Sequence, residues 1–410
     1  MQEHKSERTV VLAYSGGLDT SFCVAWLREQ GWAVVTVNVN TGGMVASEAE
    51  EMQERALLLG AKRHVSIDAR DELYVNHLRF LLYANARRGG TYPLCVSAER
   101  VCQAGCVARL ALETGADAIA HGSTGAGNDQ VRFDVAFRAI APSLELIAPI
   151  RTLGCTREFE AEFLAKRDFE IPGTVKRYSY NKGLWGTTVG GAETLDSWDS
   201  LPQSVYPGEV DESAAPREIV IGFTRGAPVS LDGEVLSPVA LIEQLNAEGG
   251  AFGIGRGVHL GDTIIGIKGR VGFSAPAAHI LIESHRELEK LVLTSKRLFW
   301  KEQLGNLYAS LVHEGHYLDP VCRDLEAFLG SSQDVVSGDV RVHLDNGFCR
   351  VEGVRSPHSL MSRDVAEYGE GARLWSSQDA EGFSKIYGIQ QLLASRAAAP
   401  DTVEGGWKCE

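Results

Sequence analysis

The stretch Val10-Val11-Leu12-Ala13-Tyr14-Ser15-Gly16-Gly17-Leu18-Asp19-Thr20-Ser21 decides the fold. A β-branched apolar run turns through two glycines into Ser, Asp, Thr and Ser, and a helical pattern follows from Phe22 to Gln30. This is a strand, a tight loop and a helix N-terminus. Paired glycines let backbone N–H groups approach a ligand closely, and the helix end behind them carries partial positive charge, so the loop accepts an anion. It lacks the lysine of a G-x-x-x-x-G-K-[ST] loop and so does not grip phosphates through an ammonium group.

The rest of the chain sets the frame. Its 410 residues leave room for two or three domains with ample apolar core. A formal net charge of −14 argues against nucleic acid as a partner, because binding to a phosphate backbone needs a basic surface. No apolar run approaches the roughly 20 residues that span a bilayer. The polar start, Met1 to Arg8, does not resemble a signal peptide, so a cytoplasmic location is expected. Eight cysteines are scattered; Cys102 and Cys106 share a helix face near Cys95, but metal-ligand spacing is absent and reduced thiols are expected.

Strands and helices alternate at the start. Val10–Tyr14, Ala33–Val39, Arg63–Ile67, Asp117–His121 and Leu144–Ala148 read as strands. Ser47–Leu59, Glu72–Arg87 and Ala98–Glu113 read as helices. The pattern predicts an α/β, doubly wound parallel sheet with ligands at the carboxyl ends of its strands. The glycine-rich loops after the first and fourth strands, Tyr14–Gly17 and Gly122–Gln130, would meet there. From about Ile171 the texture changes to an α+β domain. Strands are expected at Glu218–Phe223 and Thr263–Lys268, helices at Ser237–Asn246 and Lys290–His313, and a hairpin around Asn346-Gly347. A helical C-terminal arm includes Gln390–Ala397. The expected domains are 1–170, 171–365 and 366–410.

The S-G-G-x-D-[ST]-S spacing resembles the pyrophosphate loop of the ATP pyrophosphatases. With His121-Gly122-Ser123-Thr124-Gly125-Ala126-Gly127-Asn128-Asp129-Gln130-Val131-Arg132-Phe133, the chain resembles the argininosuccinate synthase family. Tyr92-Pro93-Leu94, Leu184-Trp185-Gly186 and His285-Arg286-Glu287-Leu288-Glu289 carry the same likeness, nearly collinear from residue 9 to 390. The resemblance implies a C–N ligase that uses ATP and Mg²⁺. Such an enzyme adenylylates a ureido oxygen and displaces AMP with the amine of L-aspartate. It implies ATP contacts at Ala13, Tyr14, Ser15, Gly16, Gly17, Leu18, Asp19, Thr20, Ser21, Val39 and Gly122. Thr124, Asn128 and Asp129 would bind aspartate; Asp19, Asp129 and Arg100 would be catalytic; no protein side chain is assigned to a metal. The arm implies a homotetramer.

Acceptor contacts are implied at Tyr92, Ser97, Arg132, Ser179 and Thr188. Two further acceptor positions depart from the family: Gly261 stands in place of a glutamate and Phe273 in place of a tyrosine, both of which hold an α-ammonium group in the family. Gly190 replaces another glutamate. Losing a charged acceptor of a hydrogen bond costs roughly 1.5–3 kcal/mol per contact. The expected acceptor is therefore a carboxylate-bearing citrulline relative. The alternatives are the authentic citrulline-using enzyme of arginine biosynthesis and a non-catalytic regulatory paralogue.

Overall fold

The computed structural model describes residues 8–169 and 177–398. The domain boundary expected at 170/171 and Cys409 lie outside them. The chain divides into two compact units, Met1–His358 and Ser359–Glu410.

The first unit opens with five strands, β1 Thr9–Ala13, β2 Ala33–Asn40, β3 Arg63–Asp68, β4 Ala118–Ala120 and β5 Glu145–Ile147. They form one parallel sheet in the order β3-β2-β1-β4-β5, with Val10 opposite both Val34 and Ala118. Val10, Val11 and Leu12 are fully buried because helices cover both faces, which explains the unbroken apolar run. The strand order reverses between β1 and β4. A crevice opens at that point, and the loops after those two strands border it.

The chain then builds two antiparallel sheets. The first has the order β11-β12-β7-β6, from β6 Ser179–Gly183, β7 Gly186–Gly190, β11 Arg256–Asp262 and β12 Lys268–Ser274. The second has the order β10-β9-β8-β13-β14, from β8 Arg217–Thr224, β9 Ala227–Leu231, β10 Glu234–Val235, β13 Gly338–Asp345 and β14 Phe348–Arg355. One apolar cluster runs from Val11 and Ala104 through Phe273 and Leu281 to Val340. The nucleotide-type sheet and the later sheets therefore share a core.

Three sequence expectations change. The strand expected over Thr263–Lys268 is instead the turn Thr263–Ile267 joining β11 to β12, which starts at Lys268; the turn is closed by Thr263 Oγ1 donating to the Ile267 carbonyl at 2.7 Å and accepting from its N–H at 3.2 Å. Its apolar residues Ile265 and Ile267 are exposed, so hydrophobicity there misleads. The helix expected over Lys290–His313 is two helices, Pro276–Val292 and Ser295–Glu314, the second started by Thr294 accepting from the Arg297 N–H. The glycine-rich loop after β4 ends in an unanticipated helix, Asp129–Ile140.

The second unit contains a two-stranded ladder, β15 Ala366–Glu367 with β16 Gly371–Ala372, and two helices, Ser377–Tyr387 and Ile389–Ala398. Phe383 stacks on Tyr387 with ring centroids 5.2 Å apart.

Candidate active site

The crevice at the strand reversal is a cleft of about 920 Å³. Its floor is the loop after β1. Gly16 has φ +72°, a backbone state that favours glycine, and Arg55 Nη1 donates to its carbonyl at 2.7 Å. Gly17 is the N-cap of the helix Leu18–Glu29 and no side chain caps it, so the first N–H groups of that helix are left for a ligand. Gly122 packs so closely on this helix start that a Cβ there would lie 3.1 Å from Thr20 Cγ2. A side chain at 122 would wedge the two loops apart.

Asp19 meets a partner the sequence reading did not anticipate. Glu160, from the helix Arg157–Ala165, lies within hydrogen-bonding range of it and is 2 % exposed. Burial first, and then the Asp19 charge, push the Glu160 carboxyl up to about 8. Its Oε2 is buried without a hydrogen-bond partner. Two carboxyl groups beside an anion-binding loop, one of them orphaned, form a donor set suited to a hard divalent cation such as Mg²⁺. Glu160 sits in a stretch of alternating acidic residues that reads as a solvated helix face, so only the fold reveals it.

On the opposite wall, Asp129 is the first residue of its helix. Arg100 Nε and Arg132 Nη1 each donate to it at 2.9 Å. Burial opposes its ionisation, but the two guanidinium groups outweigh that and hold its carboxyl below the usual range. Arg100 Nη2 also donates to Asn181 Oδ1 at 2.5 Å, tying the helix Ser97–Glu113 to β6. Asn128 Oδ1 accepts from the Ile264 N–H at 2.9 Å, which joins the loop after β4 to the β11–β12 turn.

Of the expected residues, the nucleotide set from Ala13 to Thr20 with Val39 and Gly122 lines the cleft. So do Thr124, Asn128, Asp129, Arg100, Tyr92, Arg132, Ser179, Thr188 and Gly261. Ser21, Ser97 and Phe273 are buried behind its wall. Ser21 Oγ lies 3.5 Å from the Tyr14 hydroxyl, Ser97 Oγ 3.4 Å from His313 Nδ1, and the Phe273 ring 5.4 Å from that of Tyr92. These three shape the site from outside.

Two histidines were missed. His259 stacks on Tyr92 with ring centroids 5.5 Å apart and 23° between the planes. His313 Nδ1 lies 3.4 Å from Arg132 Nη2, and since guanidinium only donates, Nδ1 accepts and the proton sits on Nε2. Burial and neighbouring positive charge lower both rings, His313 to about 3, so both are neutral at pH 7. Single histidines in strand and helix patterns give no sequence signal.

The Cys102 and Cys106 thiols gather with Glu72, their ligand atoms within 4.8 Å of one another. Arg109 Nη2 already donates to the Glu72 oxygens at 2.6 and 2.8 Å and to Cys106 Sγ at 3.2 Å. A guanidinium thus supplies the positive charge there. The seven described cysteines are free thiols. No helix among the described residues is long and apolar enough to cross a membrane.

A parallel sheet with a glycine loop at its reversal point, facing an arginine-clamped aspartate, places this chain among the doubly wound proteins that take a ligand at the switch point of the sheet. Residues 9–170 match the arginosuccinate synthase N-terminal HUP domain and residues 178–394 match the arginosuccinate synthase C-terminal domain. The chain is 39% identical over 395 residues to an argininosuccinate synthase of Xanthomonas campestris pv. campestris, covering 95% of this chain and 98% of that protein. It is 39% identical over 391 residues to the argininosuccinate synthase of Methanocaldococcus jannaschii, covering 94% and 98%. This chain belongs to the argininosuccinate synthase family.

Proposed function

We propose that this protein joins L-aspartate to a ureido carbon with cleavage of ATP to AMP and pyrophosphate, and that residues 1–170 bind the nucleotide while 171–365 complete the substrate site. The observation that carries the reading is the pairing, across one cleft, of an uncapped helix N-terminus with an ionised Asp129 clamped by Arg100 and Arg132.

The chemistry follows from these groups. A ureido carbon resists amines because its oxygen leaves poorly. Asp129, kept ionised, accepts hydrogen bonds from the ureido N–H groups, orienting the oxygen and raising its electron density for attack on the α-phosphorus. The departing pyrophosphate gathers charge where the N–H groups from Leu18 onward are aimed. Arg132 and Ser179 hold the acceptor, and Thr124 and Asn128 hold the aspartate whose amine then displaces AMP. Asp19 and Glu160 would hold Mg²⁺, which when bound neutralises phosphate charge as the α–β bond breaks.

The relatives' name supports L-citrulline as the acceptor, which makes this the argininosuccinate synthase reaction itself. A second reading has one observation in its favour. Among the described residues, the carboxylates that line the acceptor end are Asp129, already held by two arginines, and exposed Asp262, held by Lys268 at 2.5 Å. On that reading the acceptor lacks a free α-ammonium group. Sustained pyrophosphate release that requires ATP, aspartate and a ureido compound together tests the reaction; multiple turnovers without aspartate, or none with any acceptor, would overturn it. A cytoplasmic homotetramer built through the C-terminal arm completes the proposal.

A further inference from the structure

Beyond His259 the cleft adjoins a second cavity of about 390 Å³, bordered by Arg87, Arg88, Asn306 and Ser310. His259, Gly261 and Asp262 line both spaces, so the recess continues from the acceptor end. Its charges do not cancel. Arg87 is neutralised by Glu283 at 2.6 Å, and Asp262 by Lys268. Arg88 only donates, through Nη2, to the Asp262 backbone carbonyl at 3.2 Å and makes no ion pair among the described residues. Its charge also works against protonation of His259 and His313, after the larger effect of burial.

The shape is as selective as the charge. The His259 ring fills the space above Gly261 and Gly89: a Cβ would lie 2.6 Å from Nε2 at the first and 3.2 Å from Cε1 at the second. An ammonium group entering here meets the Arg88 guanidinium and the neutral His259 imidazole, and the Asp262 carboxylate beside them is already paired with Lys268. An anion meets donors: Arg88, the Asn306 amide and the Ser310 hydroxyl.

We propose that this recess is a subsite for an anionic substituent on the acceptor, a carboxylate carried on the acceptor's α-nitrogen through an uncharged amide link. The proposal rests on the second reading above. Such a molecule would bring two carboxylates, one for Arg132 and one for Arg88.

The test compares three acceptors with the full-length protein, ATP, Mg²⁺ and aspartate, by pyrophosphate release: L-citrulline, Nα-acetylcitrulline and Nα-succinylcitrulline. The expected order of kcat/KM is succinyl above acetyl above citrulline, with succinyl at least about tenfold above acetyl, the worth of one charge-assisted hydrogen bond. Arg88→Gln should erase the succinyl-over-acetyl advantage, through KM rather than kcat, and Arg88→Lys should keep part of it. Equal use of the two amides, or an advantage that survives Arg88→Gln, overturns the subsite. Preference for citrulline overturns it too and leaves the citrulline reading standing. Absence of turnover with all three overturns both the subsite and the citrulline reading.

Discussion

The His259 imidazole occupies the volume into which any side chain at Gly261 would have to grow, its Nε2 only 2.6 Å from where a Cβ would sit. The glutamate expected at 261 from the family resemblance is therefore not simply missing; the residue two positions earlier on the same strand fills its space. Phe273, the other altered position, packs behind Tyr92 and does not face the cleft. Gly261→Glu with Phe273→Tyr should therefore not be enough to favour citrulline. His259→Ala with Gly261→Glu should raise kcat/KM for citrulline by about tenfold over His259→Ala alone, the worth of one charged contact. Gly261→Glu by itself should lower activity, because overpacking costs about 1–3 kcal/mol. No gain in the double variant would mean that position 261 does not face the α-ammonium group.

The native enzyme gives the broader answer. A kcat/KM for citrulline of about 10⁴ M⁻¹s⁻¹ or more is what a dedicated enzyme reaches. Such a value would establish the citrulline reading and end the altered-acceptor one. On the second reading the value falls well below it, measured by pyrophosphate release at saturating ATP and aspartate.

Asp19→Ala should abolish pyrophosphate formation while leaving the thermal transition of the protein in place. Its partner predicts a pH dependence. Glu160 holds its proton up to about 8 in the folded protein against an ordinary 4.5, so between those values the folded state binds more protons than the unfolded state. Stability falls as pH rises through that window, by at most about 1.4 kcal/mol per pH unit for one group. Glu99, buried and also pushed up to about 8, adds a second group with the same sign. Glu160→Gln should flatten the slope by about half and leave Glu99's share. Chemical denaturation at pH 5, 6, 7 and 8 measures it; a slope unchanged by the substitution would remove the carboxyl pair.

Legibility in the sequence followed the physical source of each signal. Local signals survived: the apolar run into Gly16-Gly17 gave the strand, loop and helix of the floor, and the Asn346-Gly347 pair gave the β13–β14 hairpin. The site's long-range pairings did not. Glu160 reaches Asp19, and His259 reaches Tyr92, only because the sheets bring distant segments together, and neither residue stands out among its neighbours. The Thr263–Lys268 error has the same root. Its isoleucines serve a turn whose Ile264 N–H binds Asn128, and hydropathy cannot distinguish that use from a buried strand.

Glu99 offers a packing test away from the reaction. Both of its carboxyl oxygens are buried without a partner that meets hydrogen-bond geometry, and a Cβ on Gly183 would fall on this carboxyl group. Gly183→Ala should therefore destabilise the protein by about 1–3 kcal/mol. Glu99→Ala should be nearly neutral or stabilising, since it removes an acid that burial already penalises. Combining them should cancel most of the Gly183→Ala cost, because the two positions compete for one volume. Additive effects in urea denaturation would show that Glu99 moves aside freely.

The C-terminal unit carries the last prediction. Its helices Ser377–Tyr387 and Ile389–Ala398 expose Phe383, Ile386, Tyr387, Ile389, Leu392 and Leu393. Helices of 11 and 10 residues are marginal in water without packing, and their capping box at Ser376 and Asp379 stabilises only one end. Six large apolar side chains on so short a segment gain more by burial against another subunit than by exposure. The protein should therefore self-associate, with light scattering giving the tetrameric mass that the family resemblance implies, and removing residues 377–410 should lower the number of subunits. Phe383→Glu with Leu392→Glu should act in the same direction, because charge placed in an apolar contact is costly to desolvate. A monomeric mass for the intact chain would assign the arm to its own subunit and end the tetramer proposal.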